Sequence, residues 1–224
     1  MIKTSPRIRW VNDLASQTEY TGAIKKMESI VESILSGTGP ETVWLVQHPP
    51  LYSAGTSACE KDLLEKNRFP VFRTGRGGQF TYHGPGQIVG YTILDLNKRN
   101  QDVRKFVFDL ESWIIRTLQR LGVRGERREG KVGIWVVTGK NKQGLSEEKK
   151  IAAIGIRVRR WVSYHGIAIN VETNLSHFDG IIPCGISESG VTSLLDLGVT
   201  ATIEDVAHFM RKSFEETFQR KTLV

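Results

Sequence analysis

The sequence predicts an α+β domain built on a mostly antiparallel sheet. Three observations lead there. Long amphipathic helical periods are few, and strand-like runs outnumber them. The order is helix, strands, helix, strands, helix. Neighbouring strand runs, such as 132–137 and 151–158, are joined without the crossover helix that a parallel pair needs. No internal repeat and no low-complexity linker divides the chain.

Taken in order, residues 17–35 predict a helix. Ala23, Ile24, Met27, Ile30, Val31, Ile34 and Leu35 recur on one face, and Gly37 can end it. Thr42–Gln47 is a short apolar strand, and His48-Pro49-Pro50 must leave it because proline cannot continue a ladder. The segment from Arg76 to Gln87, RGGQFTYHGPGQ, has an alternating run (Phe80, Tyr82 against Gln79, Thr81, His83) flanked by glycines, which predicts a strand between tight turns. Gln87–Leu94 is the next strand. Val103–Leu121 carries the strongest helical period, with Val103, Phe106, Val107, Leu110, Trp113, Ile114 and Leu118 on one side and Gly122 as its stop. Val132–Val137 and Ile151–Val158 are strands, and the polar stretch 138–148 between them is expected to be a surface hairpin loop. Tyr164–Val171 is a strand. Ile203–Phe218 is the last helix, with Thr202 as N-cap and Glu204 and Asp205 in its first turn.

The chain has 224 residues, 39% hydrophobic and 25% charged, which suits one soluble domain. No apolar run is long enough to span a bilayer, and no signal-peptide pattern is visible, so no membrane partner is expected. Two cysteines, Cys59 and Cys184, without an export signal favour free thiols in a reducing, cytoplasmic setting. The net charge of +7 favours acidic partners. Its basic clusters, Arg124/Arg127/Arg128 and Arg157/Arg159/Arg160, are short, and a solvated surface is the reading each fits first. Without a zinc finger or an aromatic RNA-binding box, nucleic acid is not expected.

Several residues can carry chemistry. Glycines around Arg76 and His83 let a ligand approach the backbone, with a cation and a proton-transfer group at hand; the same segment alone is also a plain sharp bend. Cys184 sits between Pro183 and Gly185 in a constrained loop. It is either a nucleophile or an inert filler, and the residues alone leave both open. Lys150 heads an apolar strand. It is either a solvated strand end or, within reach of a thiol, a group that favours the thiolate. His165 and His48 have structural alternatives. No histidine or cysteine spacing fits a metal, and no phosphate loop or dinucleotide fingerprint is present, so neither metal nor cofactor is expected.

Together these blocks resemble the lipoyl(octanoyl) transferase family. The matching stretches are HPPLYS at 48–53, RGGQ at 76–79 through GPGQIVGY at 84–91, KIAAIG at 150–155, HGIAINV at 165–171, and PCG at 183–185 through VTSL at 191–194. They run in family order over roughly residues 40–200. The departures are mild: LYSAG at 51–55 is an unusual version of its block, and the 138–148 loop is long.

The resemblance implies a single catalytic domain over 1–224, with a larger mixed, mostly antiparallel sheet, a smaller sheet and flanking helices, as in lipoate and biotin protein ligase catalytic domains. It implies transfer of an octanoyl or lipoyl group from acyl carrier protein to a lysine of lipoyl domains, those of 2-oxoacid dehydrogenase complexes and the glycine cleavage H protein. It makes Cys184 the thioester nucleophile and Lys150 the residue that lowers its pKa. It places the acyl pocket along Arg76, Gly77, Gly78, Gln79, Phe80, Thr81, Tyr82 and His83, then Ala153, Ile154 and Gly155, then Gly166, Ile167 and Ala168. Exchange between two thioesters needs no nucleotide, and the acceptor amine is deprotonated by Lys150 or His83. Two other readings compete. An ATP-dependent lipoate or biotin ligase would adenylate the acid and need no cysteine. A non-enzymatic basic binding module would form no covalent adduct.

Overall fold

A computed structural model describes residues 8–140, 144–182 and 190–223. The described chain runs β1 (Ile8–Gln17), α1 (Tyr20–Leu35), β2 (Thr42–Gln47), β3 (Leu51–Ala54), β4 (Val71–Arg73), β5 (Phe80–His83), β6 (Gln87–Ile93), α2 (Val103–Arg120), β7 (Glu126–Arg128), β8 (Lys131–Lys140), β9 (Ser146–Arg159), β10 (Val162–Asn170), α3 (Ile203–Phe218) and β11 (Thr222–Leu223). Eight strands form one sheet in the order β11-β1-β2-β6-β10-β9-β8-β7. β1 is parallel to β11 and to β2, and the other pairs are antiparallel. A second sheet, β4-β3-β5, pairs β3 parallel to β4 and antiparallel to β5. The α+β class and the two-sheet plan are both present.

The helices divide between the faces of the large sheet. α2 and α3 cover one face, where Leu110, Trp113, Ile114, Met210 and Phe214 bury against Trp10, Leu45, Ile167 and Ile169. Trp113 and Phe214 meet edge-on at 5.2 Å, and the Trp113 indole N–H donates to Met210 O at 2.7 Å, which satisfies its polar end inside the core. α1 lies on the other face, packing Ala23, Met27 and Val31 against Trp44, Val46, Val89, Tyr91 and Tyr164. It covers only part of that face. The small sheet lies over the remainder, around its own core of Tyr52, Phe80, Tyr82 and Phe178.

Helix ends follow the residues at them. Thr202 and Asp205 form a reciprocal capping box on α3. Gly122 takes φ +75° after α2, a conformation glycine adopts without strain. The helix expected from residue 17 starts at Tyr20, because Gln17 still belongs to β1. The loop expected at 138–148 is largely strand: β8 runs to Lys140 and β9 begins at Ser146. The pairing continues there because Arg128 holds Glu148 through a forked contact across the sheet edge.

Candidate active site

The register of three central strands builds the floor of a slot. Val89, Ala168 and Ala153 lie side by side across β6, β10 and β9, and Tyr91, Gly166 and Gly155 form the next row. The side chains in β10 and β9 are small, so this part of the sheet face is hollow. Gly166 is there for a second reason: a Cβ would stand 2.1 Å from Gly90 O, inside the neighbouring strand. β5 and the glycine loop form the opposite wall. The slot, with a volume of about 60 Å³, is lined by Arg76, Gly78, Gln79, Phe80, Thr81 and His83 from that wall. Ala153, Ile154, Gly155, Gly166, Ile167 and Ala168 line it from the sheet.

Two residues singled out in the sequence lie elsewhere. Tyr82 turns into the small-sheet core, where its hydroxyl meets His177 Nδ1 at 2.7 Å, because alternation along β5 sets it opposite Thr81 and His83. Gly77 borders the slot without lining it, and its N–H donates to Ile156 O at 2.9 Å, tying the glycine loop to β9. Conversely Tyr20, Val89, Tyr91 and His165 line the slot. The apolar pattern around Val89 and Tyr91 showed a strand but not which side would be left uncovered.

Arg76 is buried and its donors are spent on shape. Nη2 donates to Ser53 O at 2.6 Å, Ser53 Oγ at 2.8 Å and Gln79 O at 2.9 Å, and Nη1 donates to Gly77 O at 2.9 Å. One planar guanidinium thus clamps the glycine loop onto β3. Gln79 Oε1 is buried with no partner among the described residues, so the slot offers an acceptor to an N–H or O–H.

His83 and His165 line the slot, His48 lies behind them with its ring 6.0 Å from that of His83, and burial lowers the pKa of each: His48 to about 4, His83 to about 3 and His165 to about 4. The nearby Arg76 charge pushes His83 and His165 in the same direction. His48 Nδ1–H donates to Thr18 O at 2.5 Å, so its Nε2 accepts from the Tyr91 hydroxyl at 2.7 Å. His165 adopts φ +58° within β10, a left-handed kink beside Gly166.

Beyond Ala153 the slot continues to Lys150. A smaller cavity shares Thr81, Ala153 and Ala168 with it and adds Gln87, Lys150, Asn170 and Val191. Strict alternation would turn Lys150 away from Ala153. The ladder shifts between the pairs Ile134↔Ala152 and Trp135↔Lys150, and this bulge brings Lys150 back to the cavity side. Lys150 is buried, donates to Val132 O at 3.1 Å and lies 4.7 Å from the Trp135 ring centre. Its backbone pairs with the segment after Cys184: Lys150 N–H donates to Gly190 O at 2.9 Å, and Thr192 N–H donates to Lys150 O at 3.0 Å. Cys184 itself lies outside the described residues.

The lipoyl protein ligase A/B catalytic domain family matches residues 19–215. The chain belongs to that family. Its relatives include proteins named octanoyltransferase. The one from Paramagnetospirillum magneticum is 59% identical over 91% of this chain and 93% of its own. That from Brucella melitensis is 57% identical over 96% of this chain and 82% of its own. Among solved structures, a bipartite lipoate protein ligase from Thermoplasma acidophilum superposes with a TM-score of 0.69, covering 98% of this chain and 86% of its own. At 17% identity that likeness speaks to the fold alone. That ligase shares the fold described above.

Proposed function

We propose that the chain moves an octanoyl group from acyl carrier protein to a lysine of lipoyl domains, through a thioester on Cys184. Octanoyl transfer in protein lipoylation is the coarser part of this reading. It rests on relatives of that name at 59% and 57% identity over more than nine-tenths of the chain. One observation carries the chemistry. A narrow slot floored by small residues leads to buried Lys150, whose backbone is hydrogen-bonded to the segment 190–192 that follows Cys184.

The Cys184 thiolate attacks the donor thioester carbonyl, a new C–S bond forms, and the carrier thiol leaves with a proton from the Lys150 ammonium. The acceptor lysine, with an ordinary pKa of about 10.4, gives one proton to the now neutral Lys150. Its amine attacks the acyl carbon, the C–N bond forms, the C–S bond breaks, and a second proton goes to solvent. The thiolate and ammonium are restored. Exchange between thioesters has little energy cost, so no nucleotide is required. The acyl chain would lie along Arg76–His83, Ala153–Gly155 and Gly166–Ala168. Acceptors would be the lipoyl domains of 2-oxoacid dehydrogenase complexes and the glycine cleavage H protein. No helix among the described residues is long and apolar enough to cross a membrane. We place the whole chain, as one catalytic domain, in the cytoplasm, where Cys184 stays reduced.

Intact mass tests the reading. Incubation with octanoyl-loaded carrier protein, without ATP, should add about 126 Da to the wild type and nothing to Cys184→Ser, while Cys59→Ala keeps the adduct. An adduct that survives in Cys184→Ser, or transfer that requires ATP, would overturn it.

A further inference from the structure

A chain of buried side-chain amides connects His83 to the backbone beside Lys150, and its direction is fixed from one end. Thr192 O is a carbonyl and can only accept. Asn170 Nδ2–H therefore donates to it at 2.9 Å. That leaves Asn170 Oδ1 facing Gln87, whose Nε2–H donates to it at 2.9 Å and to Tyr82 O at 3.1 Å. Gln87 Oε1 then remains for His83 Nδ1, 2.7 Å away. An amide oxygen can only accept, so His83 Nδ1 must carry the proton. Gln87, Asn170, Thr192 and His83 are all buried, and every contact in the relay is made between protein groups. With Nδ1 protonated and the ring uncharged, Nε2 is a bare lone pair, and it has no partner among the described residues.

We infer that Asn170 and Gln87 are positioning residues that hold His83 with Nε2 as a hydrogen-bond acceptor for the attacking amine of the acceptor lysine. This rests on the octanoyl-transfer reading above and refines the choice between Lys150 and His83. The groups facing the ring are His48, Arg76, His165 and the Tyr20 ring, and the first three all oppose a positive charge on it. Its pKa, lowered to about 3, makes it a weak base. Lacking a hydrogen at Nε2, it cannot donate to an oxyanion either. What it can do is accept an N–H from an uncharged amine and orient the nitrogen lone pair elsewhere. Lys150 is left as the base. The same relay ends at Thr192, so His83 is geared to the segment that is hydrogen-bonded to the Lys150 backbone.

The test reads the tautomer first. Nitrogen-15 spectra of histidine-labelled wild type, with His83 assigned by its absence in His83→Gln, should show His83 uncharged with the proton on Nδ1 from pH 5 to 8. An Nε2–H tautomer, or an imidazolium at pH 7, overturns the relay, and this measurement needs neither activity nor a stable variant in the relay. Gln87→Glu places a carboxylate against Nδ1 and should favour the imidazolium. Asn170→Ala removes the acceptor that fixes Gln87, lets the amide turn its N–H toward Nδ1, and should favour the Nε2–H tautomer. In pre-acylated enzyme, transfer to a lipoyl domain should then fall at least ~10-fold more than acylation by a small octanoyl thioester, as expected for one hydrogen bond lost in a desolvated site. Equal losses in both half-reactions would overturn the role toward the amine. Absence of any acyl-enzyme in the wild type would instead defeat the thioester reading, and the amine role with it, leaving the tautomer to the spectra.

Discussion

Lys150 shows how one residue's placement depends on its neighbours. A bulge aims it, the Val132 carbonyl and the Trp135 ring hold it, and Gly190 and Thr192 clasp its backbone. An ammonium held there lowers the pKa of a thiol brought beside it. Lys150→Ala should therefore move the pH profile of Cys184 alkylation upward, toward the free-thiol value of about 8.5. A profile that stays put would separate the two residues. Lys149 pairs across from Val136 one step along the ladder, on the opposite face, so Lys149→Ala should leave the profile in place. The buried histidines make a second prediction at this scale. His48, His83 and His165 have folded pKa values of about 4, 3 and 4, below the ordinary 6.5. Between those limits the unfolded chain binds protons that the folded chain does not, so stability falls as pH falls. The loss begins near pH 6.5 and levels off only near pH 4 to 3, once the folded rings also protonate. Urea unfolding at a series of pH values should show a slope of more than one proton per molecule in that window. A flat profile from pH 6.5 to 5 would contradict the burial of these rings as uncharged groups.

Elements differ in how plainly they are written in the chain. α2 and α3 repeat their apolar positions every three or four residues; Gly122 stops α2 and a Thr202–Asp205 box starts α3, so local sequence describes them well. β1 does not, because Asn12 and Asp13 interrupt its Ile8–Trp10 alternation. It is a strand because β2 and β11 flank it. β7, only Glu126–Arg128, exists through pairing with β8. The candidate site divides in the same way. The glycine segment announces itself, and its glycines serve two ends: Gly78 and Gly86 take positive φ in turns, and a Cβ on Gly84 would collide with the Tyr82 ring. The row Val89–Ala168–Ala153 joins three distant stretches and is legible only after pairing, as are Tyr20 from α1 and the bulge at Lys150. Gly166 gives that row an experimental handle. Gly166→Ala sets a methyl 2.1 Å from a backbone oxygen that cannot rotate away. We expect a loss of about 1–3 kcal/mol from overpacking, read as a Tm lowered by roughly 2–4 °C per kcal/mol in a chain of this size, together with slower acylation. A variant as stable and active as the wild type would show that β10 and β6 can part there without disturbing the slot.

At the scale of the whole molecule, the charge of +7 is unevenly committed. Arg124 meets Glu126, Arg128 meets both Glu126 and Glu148, and Arg127 meets Glu111 while lying over the Phe108 ring. Three arginines face three carboxylates, so this cluster presents little field. The other cluster sits on the β9–β10 hairpin, whose Arg160–Trp161 turn has both residues at positive φ. Arg159 pairs with Glu32 there, whereas Arg157 and Arg160 make no ion pair among the described residues. Arg157 extends over Tyr164 and comes up against Gly75, next to the loop that walls the slot. An acidic carrier protein delivering its acyl chain to the slot would meet this side first. Steering of that kind acts on association and is screened as the Debye length shrinks from about 10 Å at 0.1 M salt to about 3 Å at 1 M. For the protein-bound donor, kcat/KM should therefore fall as salt rises, while a small octanoyl thioester is affected little. Arg157→Glu with Arg160→Glu should mimic high salt, and Arg124→Glu with Arg128→Glu should change association much less. Equal salt dependence for the two donors would assign the positive charge to solubility or to a different partner.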